Sequence, residues 1–227
     1  MKKNLQRGLL AAALVVAGAT SAQAQITFGP RVGLNVANVA TDLPGSIEID
    51  TKTIFAPQIG LTLNAQFGNL SVQPSLLFSQ KGYKIEEDED DYSYKATARL
   101  SYAEIPVNLV YTTGGTEGFQ VFAGPYAGFG IGGKAKFEED DNGQKSSGED
   151  KIKFASKEGD ADKTEYYRAL DFGLNAGVGY KAGALQAQLG YGLGLSNLVP
   201  NDEDDKDPEY KLKNRVFHLS ISYFFGE

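Results

Sequence analysis

The stretch that decides the fold is LQAQLGYGLGL, residues 185–195. Every second residue from Leu185 is apolar: Leu185, Ala187, Leu189, Tyr191, Leu193 and Leu195. Between them stand Gln186, Gln188, Gly190, Gly192 and Gly194. A period of two places the two sets on opposite faces of an extended strand. One face is apolar along its whole length, and the other suits water.

The same ruler finds seven more such segments, each about ten residues long. Near the beginning of the chain, Phe28, Val32, Leu34 and Val36 alternate with Arg31, Gly33 and Asn35. Near its end, Phe217, Leu219, Ile221, Tyr223 and Phe225 alternate with His218, Ser220 and Ser222. A soluble sandwich also alternates, because one face of each sheet meets a core. The connections separate the two readings. Gly68-Asn69, the TTGGTEG stretch and KAGA are short, whereas 41–51, 85–95, 136–165 and 197–212 are long. Short and long links alternate strictly, as in outer-membrane barrels with tight periplasmic turns and longer outer loops.

Outward aromatics gather at strand ends. Phe28, Phe67, Tyr111, Phe119, Tyr180 and Phe225 fall at the short-turn ends, and Phe55, Phe78, Phe129 and Phe217 at the long-loop ends. Girdles at both membrane interfaces explain that sorting, and a sandwich core does not. Phe119 to Phe129 at about 3.3 Å per residue and a tilt near 40° covers about 25 Å, the height of an outer-membrane apolar band. The expectation is an all-β fold, an eight-stranded antiparallel up-and-down transmembrane β-barrel.

Residues 1–24 are expected to lie outside that barrel. Lys2, Lys3 and Arg7 precede the apolar run LLAAALVVAGA, and Ala22-Gln23-Ala24 fits a cleavage site. This is the pattern of a secretory signal peptide, so the domain division is 1–24 for the leader and 25–227 for the barrel. Export through the Sec route to a Gram-negative outer membrane follows from the two features together. The barrel assembly machinery is then a partner during insertion, and outer-membrane lipid and lipopolysaccharide are its surroundings.

Composition narrows the function. The chain of 227 residues has no Cys and a formal net charge of -7. Absent cysteine removes disulfide scaffolds and cysteine zinc sites. The acidic balance argues against nucleic acid, which needs a basic stripe. An eight-stranded interior is filled by side chains or holds one small ligand. Parity sends Arg31, Lys81, Glu104, Asp171 and His218 into it, and buried charges need partners. The expectation is a paired, hydrogen-bonded plug, with His218 beside a carboxylate.

Several blocks resemble one family: GPRVGLNVANV (29–39), YAEIPVNLVY (102–111), VFAGPYAGFGIGGK (121–134), ALDFGLNAGVGY (169–180), GYGLGLSNL (190–198) and HLSISYFF (218–225). In this order they look like the recurring blocks of the PorT-like outer-membrane β-barrel family of Bacteroidota. The resemblance implies a signal peptide and an outer-membrane eight-stranded barrel. It implies no single activity; the founding member assists protein secretion. No catalytic residues carry over. The terminal Gly226-Glu227 departs from barrels that end on an aromatic residue.

Most of the 29 carboxylates fall in the four long links, notably 86–91, 138–165 and 202–209. One reading is a solvated acidic surface of four long extracellular loops. The other is divalent-cation binding, with bridging to lipopolysaccharide phosphates. EEDDNGQKSSGE places Glu138, Asp140, Asn142, Gly143 and Glu149 on ligand and turn positions of a calcium loop. Glu at the first position and Lys145 at an apolar position depart from that pattern. Weak Ca2+ is the one cofactor the sequence raises.

No enzyme signature emerges. His218 is the only histidine, with Ser220 two residues on, and outer-membrane lipid A deacylases use such a pair on a late strand. Their supporting acid lies further along, where this chain ends. Three classes fit the frame: a non-catalytic structural or surface-interaction barrel; an accessory of an outer-membrane secretion system, with its proteins as partners; and a small pore or lipid-modifying enzyme.

Overall fold

The computed structural model describes residues 25–42, 50–159, 161–202, 206 and 208–226. The leader assigned to 1–24 lies outside the described residues, as do Glu48, Asp160 and most of the acidic run at 203–207. Among the described residues eleven strands occur: β1 (Gln25–Asp42), β2 (Thr51–Lys52), β3 (Ile54–Phe67), β4 (Leu70–Glu89), β5 (Tyr92–Gly114), β6 (Glu117–Asp141), β7 (Gln144–Phe154), β8 (Thr164–Tyr167), β9 (Leu170–Ala182), β10 (Leu185–Gly194) and β11 (Lys211–Tyr223).

Eight of them close a ring. β1 pairs with β3, β3 with β4, β4 with β5, β5 with β6, β6 with β9, β9 with β10, and β10 with β11, all antiparallel. β11 then pairs back onto β1, Arg31 opposite Ser222. Closure leaves no unpaired edge, which the backbone needs wherever water is absent. Turns at Gly68-Asn69, Gly115-Thr116 and Gly183-Ala184 define one end of the barrel.

The alternation of 185–195 lands as its period requires. Leu189 is 53% exposed and Gln188 is 1% exposed. The same contrast separates Phe28, Ile59, Leu109, Val121, Val178 and Leu219 outside from Arg31, Gln58, Asn108, Gln120 and Gln186 inside. A belt of exposed large apolar residues around polar interiors is stable only against hydrocarbon.

The strands are longer than the segments of about ten residues that alternation marks; β6 runs for 25 residues. They rise beyond the apolar belt as a second tier, and there the faces exchange chemistry. On β11 the outward residues are Phe217, Leu219 and Ile221 below, then Arg215, Lys213 and Lys211 above; the inward ones pass from His218 and Ser220 to Val216 and Leu212, with Asn214 between those two still polar and bonded to Asp171. On β1 the inward set changes from Arg31 and Asn35 to Ala37 and Val39. The segments 85–95 and 136–154 are strand hairpins of this tier, exposed at their ends and turning at Asp90-Asp91 and Asn142-Gly143.

A bulge adjusts one strand to the change. Between β5 and β6 the register moves from Tyr102↔Gly130 to Ser101↔Gly132, so Ile131 is extra. Gly132 sits at φ 153°, where an L side chain is disfavoured. Beyond it the inward parity of β6 passes from Gln120, Phe122 and Tyr126 to Ala135, and Lys134 and Lys136 point outward.

Candidate functional site

Three layers fill the axis of the barrel. Nearest the short turns lies an amide layer. Gln73 donates to Asn64 at 3.0 Å and to Gln186 at 2.9 Å. Residues from opposite walls meet here, so little more than side chains fits within eight strands.

Above it lies the charged layer. Lys81 forms ion pairs with Glu104 and, at 3.0 Å, with Asp171. Asp171 also accepts from Asn214 at 2.9 Å, Ser196 at 3.1 Å and Tyr126 at 3.3 Å. The Lys81 ammonium stands 4.2 Å from the Tyr126 ring centroid. A buried cation so supplied with counter-charges and donors meets the condition under which a buried pair is tolerated. Arg31 belongs to the same interior and donates to Gln188 at 3.4 Å. The free space beside Arg31, Lys81, Glu104 and His218 is about 20 Å³, room for one water.

His218 departs from its expected role. It is buried in the lumen, yet no carboxylate hydrogen-bonds it, and neither ring nitrogen has a partner among the described residues. Its ring lies 6.2 Å from that of Phe122 and fills the space left by Gly190, where a Cβ would meet His218 Cε1 at 2.5 Å. Aromatic packing, not ion pairing, holds it. Ser220 Oγ also lacks a partner, so the base–hydroxyl contact that Ser-His catalysis needs is not formed.

The third layer is apolar. Val39, Leu100, Tyr102, Ala135, Ile152 and Leu198 form a core inside the upper tier. The chain around Leu198 is drawn in by backbone bonds from Leu198 N–H to Leu212 at 2.8 Å and from Arg168 N–H to Leu198 at 2.7 Å. This core forms the floor of an open cup of about 630 Å³, within the size range of ligand sites. Tyr83, Tyr166, Tyr167 and Tyr210 line it, with Glu158 and Glu165. The Tyr83 and Tyr167 hydroxyls lie 3.1 Å apart, and Tyr167 donates to Glu165 at 3.1 Å. Burial raises the pKa of Glu165 above its ordinary value, although the Tyr167 bond opposes the shift. Among the described residues, no Lys or Arg lines the cup.

These tyrosines escape the period-two reading because Tyr83, Tyr166 and Tyr167 fall between the alternating segments and the long links, and Tyr210 falls in a link classed by its acidity. The signal was present: TEYY (164–167) and EY (209–210) place aromatics in stretches that a solvated loop has no reason to fill with them.

The calcium-loop residues occupy the β6–β7 hairpin. Asp140 lies opposite Lys145 and accepts from Gly143 N–H at 3.0 Å, while Glu138 lies opposite Ser147. Asn142, at φ 50°, and Gly143, at φ 83°, make the turn. Glu149 lies opposite Lys136 and pairs with Lys134 at 2.6 Å. The hairpin strings the four out along two strands. Among the described residues, no three His, Asp or Glu side chains converge as metal ligands.

A family model for the outer membrane protein beta-barrel domain matches residues 21–199. The chain belongs to that family. The protein is accordingly an outer-membrane β-barrel. Solved structures similar to it include Ail, the attachment invasion locus protein of Yersinia pestis, at 16% identity over 88% of this chain and 98% of that one, TM-score 0.42. Neisserial surface protein A matches at 11% identity over 87% and 97%, TM-score 0.42. OprG from Pseudomonas aeruginosa matches at 13% identity over 89% and 96%, TM-score 0.35. No curated protein matches the sequence.

Proposed function

We propose that the protein is a sealed, non-catalytic surface barrel that presents its tyrosine-lined cup to the cell exterior. The observation that carries this reading is the stacking beneath the cup: an apolar floor, then the Lys81–Glu104–Asp171 layer, then the amide layer. A pore needs a continuous wet path, and about 20 Å³ beside the charged layer does not supply one. The cup combines aromatic faces, hydroxyls and two carboxylates with no cation in its lining among the described residues. That chemistry takes an uncharged or cationic organic ligand and repels anions.

Planar-bilayer recording on the refolded barrel tests the seal. Flat traces are expected, and discrete ohmic steps from the purified protein would overturn it. Orientation is read separately. Proteinase K added to intact cells is expected to cut near Lys157 or Lys163, beside the cup, and to spare the turn at Gly115-Thr116; cuts at that turn instead would invert the orientation.

A further inference from the structure

We propose that the outer wall of the upper tier binds the phosphate of an outer-leaflet glycolipid of the lipopolysaccharide class, through Arg99, Lys134 and Lys151. The inference rests on the orientation proposed above and is independent of what occupies the cup.

The three cations form one row across three strands, since Arg99 pairs with Lys134 and Lys134 with Lys151. All three are exposed on the outward face. Directly opposed like charges disfavour a sheet. The local relief is partial. Glu149 takes Lys134 at 2.6 Å and Lys136 at 3.6 Å, and Arg99 Nη1 donates to the Phe55 carbonyl at 2.9 Å. Lys153 stands on the same face two residues beyond Lys151. Glu138, two residues beyond Lys136 on the same face, adds a second carboxylate, and Lys95 opposite it a sixth cation. Two carboxylates thus face six cations on this wall, in a chain whose net charge is -7. A guanidinium offers five donors, and one is used here.

Height decides which anion fits. Beneath the row lies the apolar belt, and the two meet at a shallow depression of about 370 Å³ bordered by Phe78, Ile131, Arg99 and Lys134. The bulge opens it: nothing stands within 4 Å of where a Gly132 Cβ would be. Apolar wall below and cations above match an acyl chain that continues into a phosphorylated headgroup. The carboxylates Glu89, Asp90 and Asp91 stand further out, at the β4–β5 turn, beyond that level. Direct pairing replaces the bridging by divalent cations that loop acidity implied.

The test is a binding titration of the full barrel in nonionic detergent with bisphosphorylated lipid A and with its dephosphorylated form. Wild type is expected to prefer the phosphorylated lipid at least tenfold. Arg99→Gln/Lys134→Gln/Lys151→Gln is expected to bind both forms alike. Lys211→Gln/Lys213→Gln, on β11, should keep the preference. The proposal fails if the triple variant retains the preference, if the β11 variant loses it equally, or if wild type shows none. Inorganic phosphate should not displace the lipid; displacement at equal concentration would mark a free-anion site and overturn the lipid assignment. Should the triple variant not refold, Lys151→Gln alone lies outside the eight-strand ring and is expected to weaken phosphorylated lipid about threefold.

Discussion

Strand β11 carries two solvents' requirements on one backbone. Below Phe217 its outward side chains are apolar and its inward ones polar; from Arg215 upward the outward ones are cationic and the inward ones, Asn214 on Asp171 excepted, are apolar. The period stays at two throughout, and only the chemistry of each face changes. In the lower tier hydrocarbon lies outside and a hydrogen-bonded interior compensates for its own polarity. In the upper tier water lies outside, and the barrel is held by an ordinary apolar core. Burial is therefore no guide to hydrophobicity here until the height along the strand is known.

The sharpest way to break this contrast is to remove the interior cation of the lower tier. Lys81→Met leaves Glu104 and Asp171 buried without their counter-charge and should cost about 3–5 kcal/mol in a denaturant titration of the refolded barrel. Full stability in that variant would mean that the lower interior is not organised by charge. In the upper tier the equivalent lesion is a cavity. Leu100→Ala, at a fully buried position of the apolar core, should cost about 2–5 kcal/mol by the same measurement. It should also admit ion leakage in planar bilayers if that core is the seal.

Outward changes separate the tiers next. Leu189→Arg puts a charge against hydrocarbon and should cost about 2–4 kcal/mol. Lys213→Leu, outward on the upper tier, should change stability by no more than about 0.5 kcal/mol. Equal costs would place the hydrocarbon boundary wrongly.

The smallest effect is electrostatic. Hydrogen bonding from Lys134, with Lys136 nearby, holds the Glu149 carboxyl below its ordinary pKa. A depressed carboxyl adds stability above its unfolded pKa and loses it as pH falls through the folded value. Lys134→Gln should therefore move the Glu149 carboxyl 13C titration upward, and an unchanged midpoint would remove that pair from the outer wall.

The lower tier was legible because its two faces differ in the way water and lipid differ. Leu189 beside Gln188, or Phe217 beside His218, is enough to assign sides. The upper tier was not, for three physical reasons. Outward Lys134 and Lys136 with inward Ala135 read as a broken pattern unless the inversion is known. Ile131 adds one residue and shifts the parity of everything after it on β6. Acidic residues at the hairpin ends resemble linkers by composition. The Asn142-Gly143 pair is the strongest short-range hairpin signal in the chain, and aligning it with a metal loop hid that meaning. Of the interior charges, Lys81, Glu104 and Asp171 follow from parity and the cost of isolation. His218 does not, since its neighbours are an aromatic ring and a missing side chain.

The pairing of β1 with β11 has a consequence in time. Arg31 and Ser222 are brought together across nearly the whole described chain. Contacts of such separation slow folding, because the loop entropy is lost before any bond rewards it. Until the last strand arrives, β1 and β10 each present an open row of amides and carbonyls. A nascent or truncated chain is thus an adhesive species, able to capture a neighbour's strand, and needs shielding until its own end reaches its beginning.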